Sequence, residues 1–176
     1  FLQGLGISAA YCARIINRYG VAAAEIVRRN PYQLAADVRG IGFLSADRIA
    51  SNLGVEKTHP LRLAAGTEYV LDQMAQNGNV CYPREELLTE TAQVLDVSPD
   101  KAEEGLRLAL QSGRVVAEEG DSPSEINVYL RRLHQAEVDL AETLHVLAAA
   151  MLPHLDMPPG SPGGEAAHLN LEQRAA

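Results

Sequence analysis

Two glycine pairs have the spacing in this chain most able to do chemistry. Gly4-Leu5-Gly6-Ile7 and Gly40-Ile41-Gly42-Phe43 repeat one pattern, glycine–hydrophobic–glycine–hydrophobic, 36 residues apart. Glycines in such a turn leave backbone N–H groups unshielded. Where the turn opens a helix, those donors sit at the end whose dipole favours an anion. The chemistry implied is capture of an anionic group such as phosphate by main-chain donors. In the second copy the candidate donors are the backbones of Gly40, Gly42 and Leu44, with Ile41 among the candidate binding residues and Arg39 and Arg48 as nearby cations. In the first copy they are Gly4, Gly6 and Ser8, flanked by Arg14 and Arg18.

Helices must position these turns. Ala9, Ala13, Ile16 and Tyr19 follow the first copy at helical spacing, and Ala46, Ile49, Ala50 and Leu53 follow the second. Gly20 and Gly54 suit the two helix ends. Between the copies the sequence predicts a helix over 22–29, stopped by Asn30-Pro31, and another from Pro31 to about Asp37. Residues 1–58 thus read as a tandem helix-hairpin-helix. Such a pair can contact both strands of DNA across a minor groove, on the backbone and without sequence preference. The helix that should lead the first copy would lie before Phe1, which leaves open a purely structural role for that copy.

A boundary falls at His59-Pro60. Beyond it the pattern predicts a helix over 61–77 with Leu63, Tyr69, Val70 and Met74 toward the core, a short strand over 80–82 and a helix over 84–95. A third helix follows, capped by Ser98 and running to 112, and then strands over 114–118 and 126–130. Helix, strand, two helices and a β-hairpin is the order of a winged helix, so 59–132 reads as a winged-helix-like α+β module. The expected fold is mainly α. A connecting helix is expected over 133–152, its Leu140, Leu144, Leu147 and Met151 on one face. A Pro/Gly linker is expected over 153–168, flexible or extended, and the start of a further domain over 169–176.

Composition narrows the function classes. Hydrophobic residues make up 47%, enough for a packed core, while aromatics are only 5% with no Trp, which disfavours a single-strand stacking platform. Cys12 and Cys81 are isolated and the five histidines lack ligand spacing, so neither a disulfide scaffold nor a metal site is expected. No membrane span or signal peptide is apparent, and a reducing cytoplasm is the expected setting. Phe1-Leu2-Gln3 reads as the middle of a larger protein. The net charge is −8, but residues 1–60 carry seven cations against four acids, and the remaining 8 cations and 19 acids lie beyond. A DNA contact belongs in the first third. The third helix of the 59–132 module carries Lys101 and Arg107 among Asp100, Glu103 and Glu104, which favours a structural or partner-contacting role there.

Longer motifs add a resemblance. Phe1-Leu2-Gln3-Gly4-Leu5-Gly6-Ile7-Ser8, Asn30-Pro31-Tyr32-Gln33-Leu34-Ala35, and Gly40-Ile41-Gly42-Phe43 with Ala46-Asp47-Arg48-Ile49-Ala50 together resemble the N-terminal region of RecD-like (RecD/TraA-type) superfamily 1 DNA helicases. The likeness continues through Gly78-Asn79-Val80-Cys81-Tyr82 and Glu86-Leu87-Leu88. It ends at 169–176, which is similar to the Gln motif ahead of the phosphate loop. It implies a parent protein that moves 5′→3′ on DNA using ATP and Mg, with Gln173 on the adenine. It also implies DNA (duplex or single-strand/duplex junction) and the remainder of the helicase chain as partners, in repair or recombination. No Gly-x-x-x-x-Gly-Lys-Ser/Thr is present, so this chain itself is expected to be non-catalytic and without cofactor. The competing expectation is a protein-interaction module of a DNA-repair complex whose hairpins only pack helices.

Overall fold

The computed structural model of the protein describes residues 1–120 and 125–151. The Pro/Gly segment, the Gln-motif segment with Gln173, and residues 121–124 lie outside the described residues. Residues 1–136 form one compact unit. Its first part is helical: a 3-10 turn over Gln3–Leu5, then α1 (Ala9–Tyr19), a 3-10 turn over Gly20–Ala22, α2 (Ala23–Arg29), α3 (Gln33–Asp37) and α4 (Phe43–Asn52). The second part comprises α5 (Pro60–Gln76), β1 (Cys81–Pro83), α6 (Arg84–Leu95), α7 (Pro99–Gln111), β2 (Val115–Glu119) and β3 (Ile126–Leu130), followed by α8 (Arg131–Met151). The mainly α fold with a small β element is as expected, and the expected hairpin gains an edge. β1 pairs antiparallel with β3 at Tyr82↔Val128, so the sheet has three strands in the order β1-β3-β2.

Three apolar clusters hold this unit together. Leu5, Ile7, Cys12, Ile15, Val27, Leu34, Val38, Ile41 and Ile49 form the core of the hairpin part. Val70, Leu71, Leu87, Leu106, Ala109, Val115 and Val128 form that of the second part. The third cluster joins them: Tyr32, Phe43, Ala46 and Ala50 pack with Leu63 and Leu95. Tyr32 stacks on Phe43, and Phe43 on Tyr69, with centroids 5.9 and 4.9 Å apart. A polar knot lies beside this seam. Asp47 accepts from the Tyr32 hydroxyl at 2.8 Å and from Arg62 Nε and Nη2 at 2.8 and 3.1 Å, while Arg62 Nη1 donates to the carbonyls of Lys57 and Leu95. The motif residues Tyr32 and Asp47 therefore fasten the two parts together. Further along, Gly105 lets α7 cross α5 closely, since a Cβ there would stand 2.8 Å from the Leu63 carbonyl.

Four local expectations are corrected. On α1 the buried residues are Cys12 and Ile15; Ala9 and Ala13 are exposed, and Ile16 is half exposed. Cysteine serves there as a small apolar residue, which turns the buried face away from the expected one. Pro31 sits in a turn ahead of α3, where the Asn30 side chain accepts from the Tyr32 amide, rather than as the first helical residue. Ser98 begins α7 but its hydroxyl makes no capping bond. Finally, α8 starts at Arg131 rather than 133. The Arg131 amide donates to the Arg114 carbonyl at 2.9 Å, and Arg132 pairs with Asp72, which starts the helix at the end of the sheet. In α8 beyond Ala136, Leu140, Leu144 and Leu147 are about half exposed.

Candidate nucleic-acid interface

The two hairpins correspond, but not in the register of the glycine motifs. The glycine at positive φ is Gly6 (φ 76) in one and Gly40 (φ 89) in the other, an offset of 34 residues. The same offset relates buried Ile7 to Ile41, the helix-capping residues Ser8 and Gly42, Cys12 to Ala46, Ile15 to Ile49, and the positive-φ pair Gly20 and Gly54. The amide of Cys12 donates to the Ser8 carbonyl as that of Ala46 does to Gly42. Gly4 thus falls inside the 3-10 turn, and Ser8 is the true counterpart of Gly42. The sequence held a signal for this: its two helix-ending glycines, Gly20 and Gly54, already lie 34 apart.

That equivalence exposes a difference in donors. Ser8 caps α1 with its own side chain, accepting from the Tyr11 amide at 3.4 Å. Gly42 caps α4 with none. The amides of Gly40, Gly42, Phe43 and Leu44 have no hydrogen-bond partner among the described residues. Gly42 is also not required by the fold. Its φ of −92° suits any residue, and a Cβ there would meet nothing within 4 Å. The ten-residue α4 therefore begins with open space over unpaired N–H groups, the arrangement that binds anions. Leu44 is 63% exposed beside it.

The candidate arginines separate into free and engaged. Arg48 is exposed and has neither an ion pair nor a hydrogen bond among the described residues, and the Arg39 side chain is equally free. Arg18 lies 4.0 Å from Asp37. Arg14 is the counterpart of Arg48 at the same offset, yet it is committed to the protein, donating Nη1 to the Arg39 carbonyl at 2.9 Å. Arg14, Arg18 and Arg39 line one depression with Asn17, Asp37, Val38 and Gly40. Asp37 accepts from the Tyr19 hydroxyl at 2.8 Å and from Gln33 at 3.1 Å. The Tyr19 hydrogen bond, then that of Gln33, holds its carboxyl below the usual range. Burial, and then the same Asp37 bond, pushes the Tyr19 hydroxyl up to about 12. Sequence reasoning missed Tyr11, Tyr19 and Asn52, which reach these turns from other elements.

The second part presents a different surface. Lys101 is paired with Glu104 at 2.7 Å, and Arg84 with Glu103 and Glu85. Burial pushes the Glu68 carboxyl up, opposed by Arg114 at 3.4 Å. Among the described residues no three His, Cys, Asp or Glu gather where a metal ion could sit, and no helix is long and apolar enough to cross a membrane. Cys12 and Cys81 are unpaired thiols.

Tandem hairpins closing on helix N-termini, joined to a three-helix and wing arrangement, define a helix-hairpin-helix fold. Residues 1–81 match the family model described as the ATP-dependent RecD2 DNA helicase HHH domain. A curated relative, the ATP-dependent RecD2 DNA helicase of Deinococcus radiodurans, is 31% identical over 159 residues, covering 84% of this chain and 22% of the relative. Both comparisons liken the chain to RecD2 helicases, the first through their helix-hairpin-helix domain. It spans about a fifth of the length of that relative.

Proposed function

We propose that residues 1–58 bind the DNA backbone without sequence preference, as an accessory segment of an ATP-dependent 5′→3′ helicase of the RecD-like family. One observation carries this reading: α4 opens at a glycine the fold does not need, with unpaired amides beneath it and free Arg39 and Arg48 beside it. A glycine with no conformational duty is explained by a ligand that approaches the backbone closely. Duplex or a single-strand/duplex junction is the substrate class, and the remainder of a helicase chain is the protein partner. ATP and Mg would be held by a phosphate loop, which these 176 residues do not contain, so no nucleotide step is assigned to them. A cytoplasmic role in DNA repair or recombination follows from the same reading, and unpaired thiols suit a reducing compartment.

Fluorescence anisotropy of unrelated duplexes over a salt series tests it. Arg39→Ala and Arg48→Ala should each weaken binding about equally for every sequence, and each should lower the salt slope by roughly one. If both together change neither affinity nor slope in a folded protein, the hairpin is not the DNA contact. One observation favours a second reading, docking on protein alone: the exposed leucines of α8, Leu140, Leu144 and Leu147. No duplex binding even at low salt would favour that reading.

A further inference from the structure

The turn that presents Gly40 is held from outside its own hairpin. Tyr11, on α1, donates its hydroxyl to the Gly40 carbonyl at 2.8 Å. Arg14, one turn along α1, donates Nη1 to the Arg39 carbonyl at 2.9 Å, and its guanidinium lies 5.5 Å from the centroid of the Tyr11 ring. The fit is close, since a Cβ on Gly40 would stand 2.8 Å from Arg14 Nη1 and 3.5 Å from the Tyr11 ring. Both acceptors belong to the turn Val38–Ile41, closed by the Ile41 amide on the Val38 carbonyl at 3.0 Å, with Gly40 third at φ 89. That is the arrangement of a type II turn, whose type I neighbour has the central peptide reversed. Reversal would exchange the positions of the Arg39 carbonyl and the Gly40 N–H. Because the peptide is planar and trans, a carbonyl bonded toward α1 sends the N–H on the same peptide away from α1.

We propose that Tyr11 and Arg14 are positioning residues of the second hairpin: Arg14 holds its central peptide in the orientation that points the Gly40 N–H outward to phosphate, Tyr11 braces the peptide that follows through the Gly40 carbonyl, and Arg14 is not itself a phosphate contact. The proposal rests on the DNA-binding reading above for its ligand. The other half of the repeat repeats the device. Asn52, on α4, donates to the Leu5 carbonyl at 2.9 Å, and Leu5 precedes Gly6 as Arg39 precedes Gly40. Each copy's helix thus fastens the carbonyl ahead of the other copy's positive-φ glycine. The equivalent arginines have divided the work, Arg14 as a strut and Arg48 as a free cation.

The test pairs duplex anisotropy over a salt series with amide NMR of the uniformly labelled chain, for wild type, Tyr11→Phe, Arg14→Met and Arg48→Gln. Tyr11→Phe removes no charge, so it should weaken binding about fivefold, the effect of one neutral hydrogen bond, with the salt slope unchanged. Arg14→Met should do the same or more, also at unchanged slope, whereas Arg48→Gln lowers the slope by about one. In the free protein, both α1 variants should shift the Gly40 amide signal while the melting temperature stays near wild type. An Arg14→Met slope that falls like that of Arg48→Gln overturns the proposal, as does a Gly40 amide indifferent to both α1 variants. Should wild type fail to bind duplex and Arg48→Gln be silent, the DNA-binding reading falls, and the Gly40 amide alone then decides whether the clamp exists.

Discussion

At the scale of single residues, the same side-chain type does different work according to what lies within reach. Arg14 and Arg48 occupy equivalent positions, but only Arg14 finds a carbonyl to hold. Asp37 is an acid in a depression whose other charged residues are arginines, and its bonds to Tyr19 and Gln33 explain its place there. Those bonds favour the carboxylate, so its folded pKa lies below its unfolded one. The stability it contributes is therefore complete above the usual carboxylate range and is lost as pH falls through the depressed folded value. Asp37→Asn should cost about 1 kcal/mol in urea unfolding at neutral pH, the typical worth of such bonds. The deficit should vanish once the pH is below the folded pKa; a deficit that persists there would mean that Asp37 acts by packing and not by charge.

At the scale of elements, α4 and α1 begin with the same geometry and different caps. Ser8 bonds the Tyr11 amide with its side chain, whereas the counterpart Ser45 amide bonds the Gly42 carbonyl at 3.1 Å, Gly42 having no side chain to offer. Gly42→Ser should let the new hydroxyl accept from the Ser45 amide as Ser8 accepts from Tyr11, a change worth a few tenths of a kcal/mol to the fold. It should also place a side chain over the amides proposed to meet phosphate. The expected outcome is a slightly higher melting temperature with a lower duplex affinity, and a variant that binds as tightly as wild type would deprive Gly42 of its assigned role. Much of this level was legible beforehand. The Pro83–Arg84 and Ser98-Pro99 starts, the strand over 126–130 and the helix face of Ala46, Ile49 and Ala50 follow from local pattern, and each is found where expected. The hairpin register was not legible from the glycine motif, because a glycine's backbone angle depends on the turn it closes, and Gly4 and Gly42 both take up positions that need no positive φ. The buried face of α1 was missed because its apolar spacing admits two faces, and the choice is made by residues of other elements in the same cluster, such as Val27, Leu34 and Val38. Tyr11 and Asn52 were beyond reach for another reason: their bonds span 29 and 47 residues.

At the scale of the whole molecule, charge is segregated along the chain, which bears on the proposed contact between a chain of net charge −8 and DNA. The seven cations of residues 1–60 include the free Arg39 and Arg48, whereas α7, placed as the third helix of the winged-helix-like part, has its Lys101 bonded to Glu104. Arg107 acts on that same carboxylate, and with Lys101 it holds the Glu104 pKa down. Glu85, Glu86, Glu118 and Glu119 are exposed on the same part. A helix whose cations are already neutralised releases few counterions from DNA, so it adds little to a salt-dependent affinity. Near 0.15 M salt, screening over about 8 Å also limits how far its acids can oppose a phosphate held at the hairpin. Replacing Lys101 and Arg107 together by alanine should therefore leave both duplex affinity and salt slope at wild-type values, in the same anisotropy series in which Arg48→Ala lowers the slope by roughly one. If the double replacement instead lowers the slope by about two, α7 touches the backbone and the DNA contact is shared between the two parts of the unit.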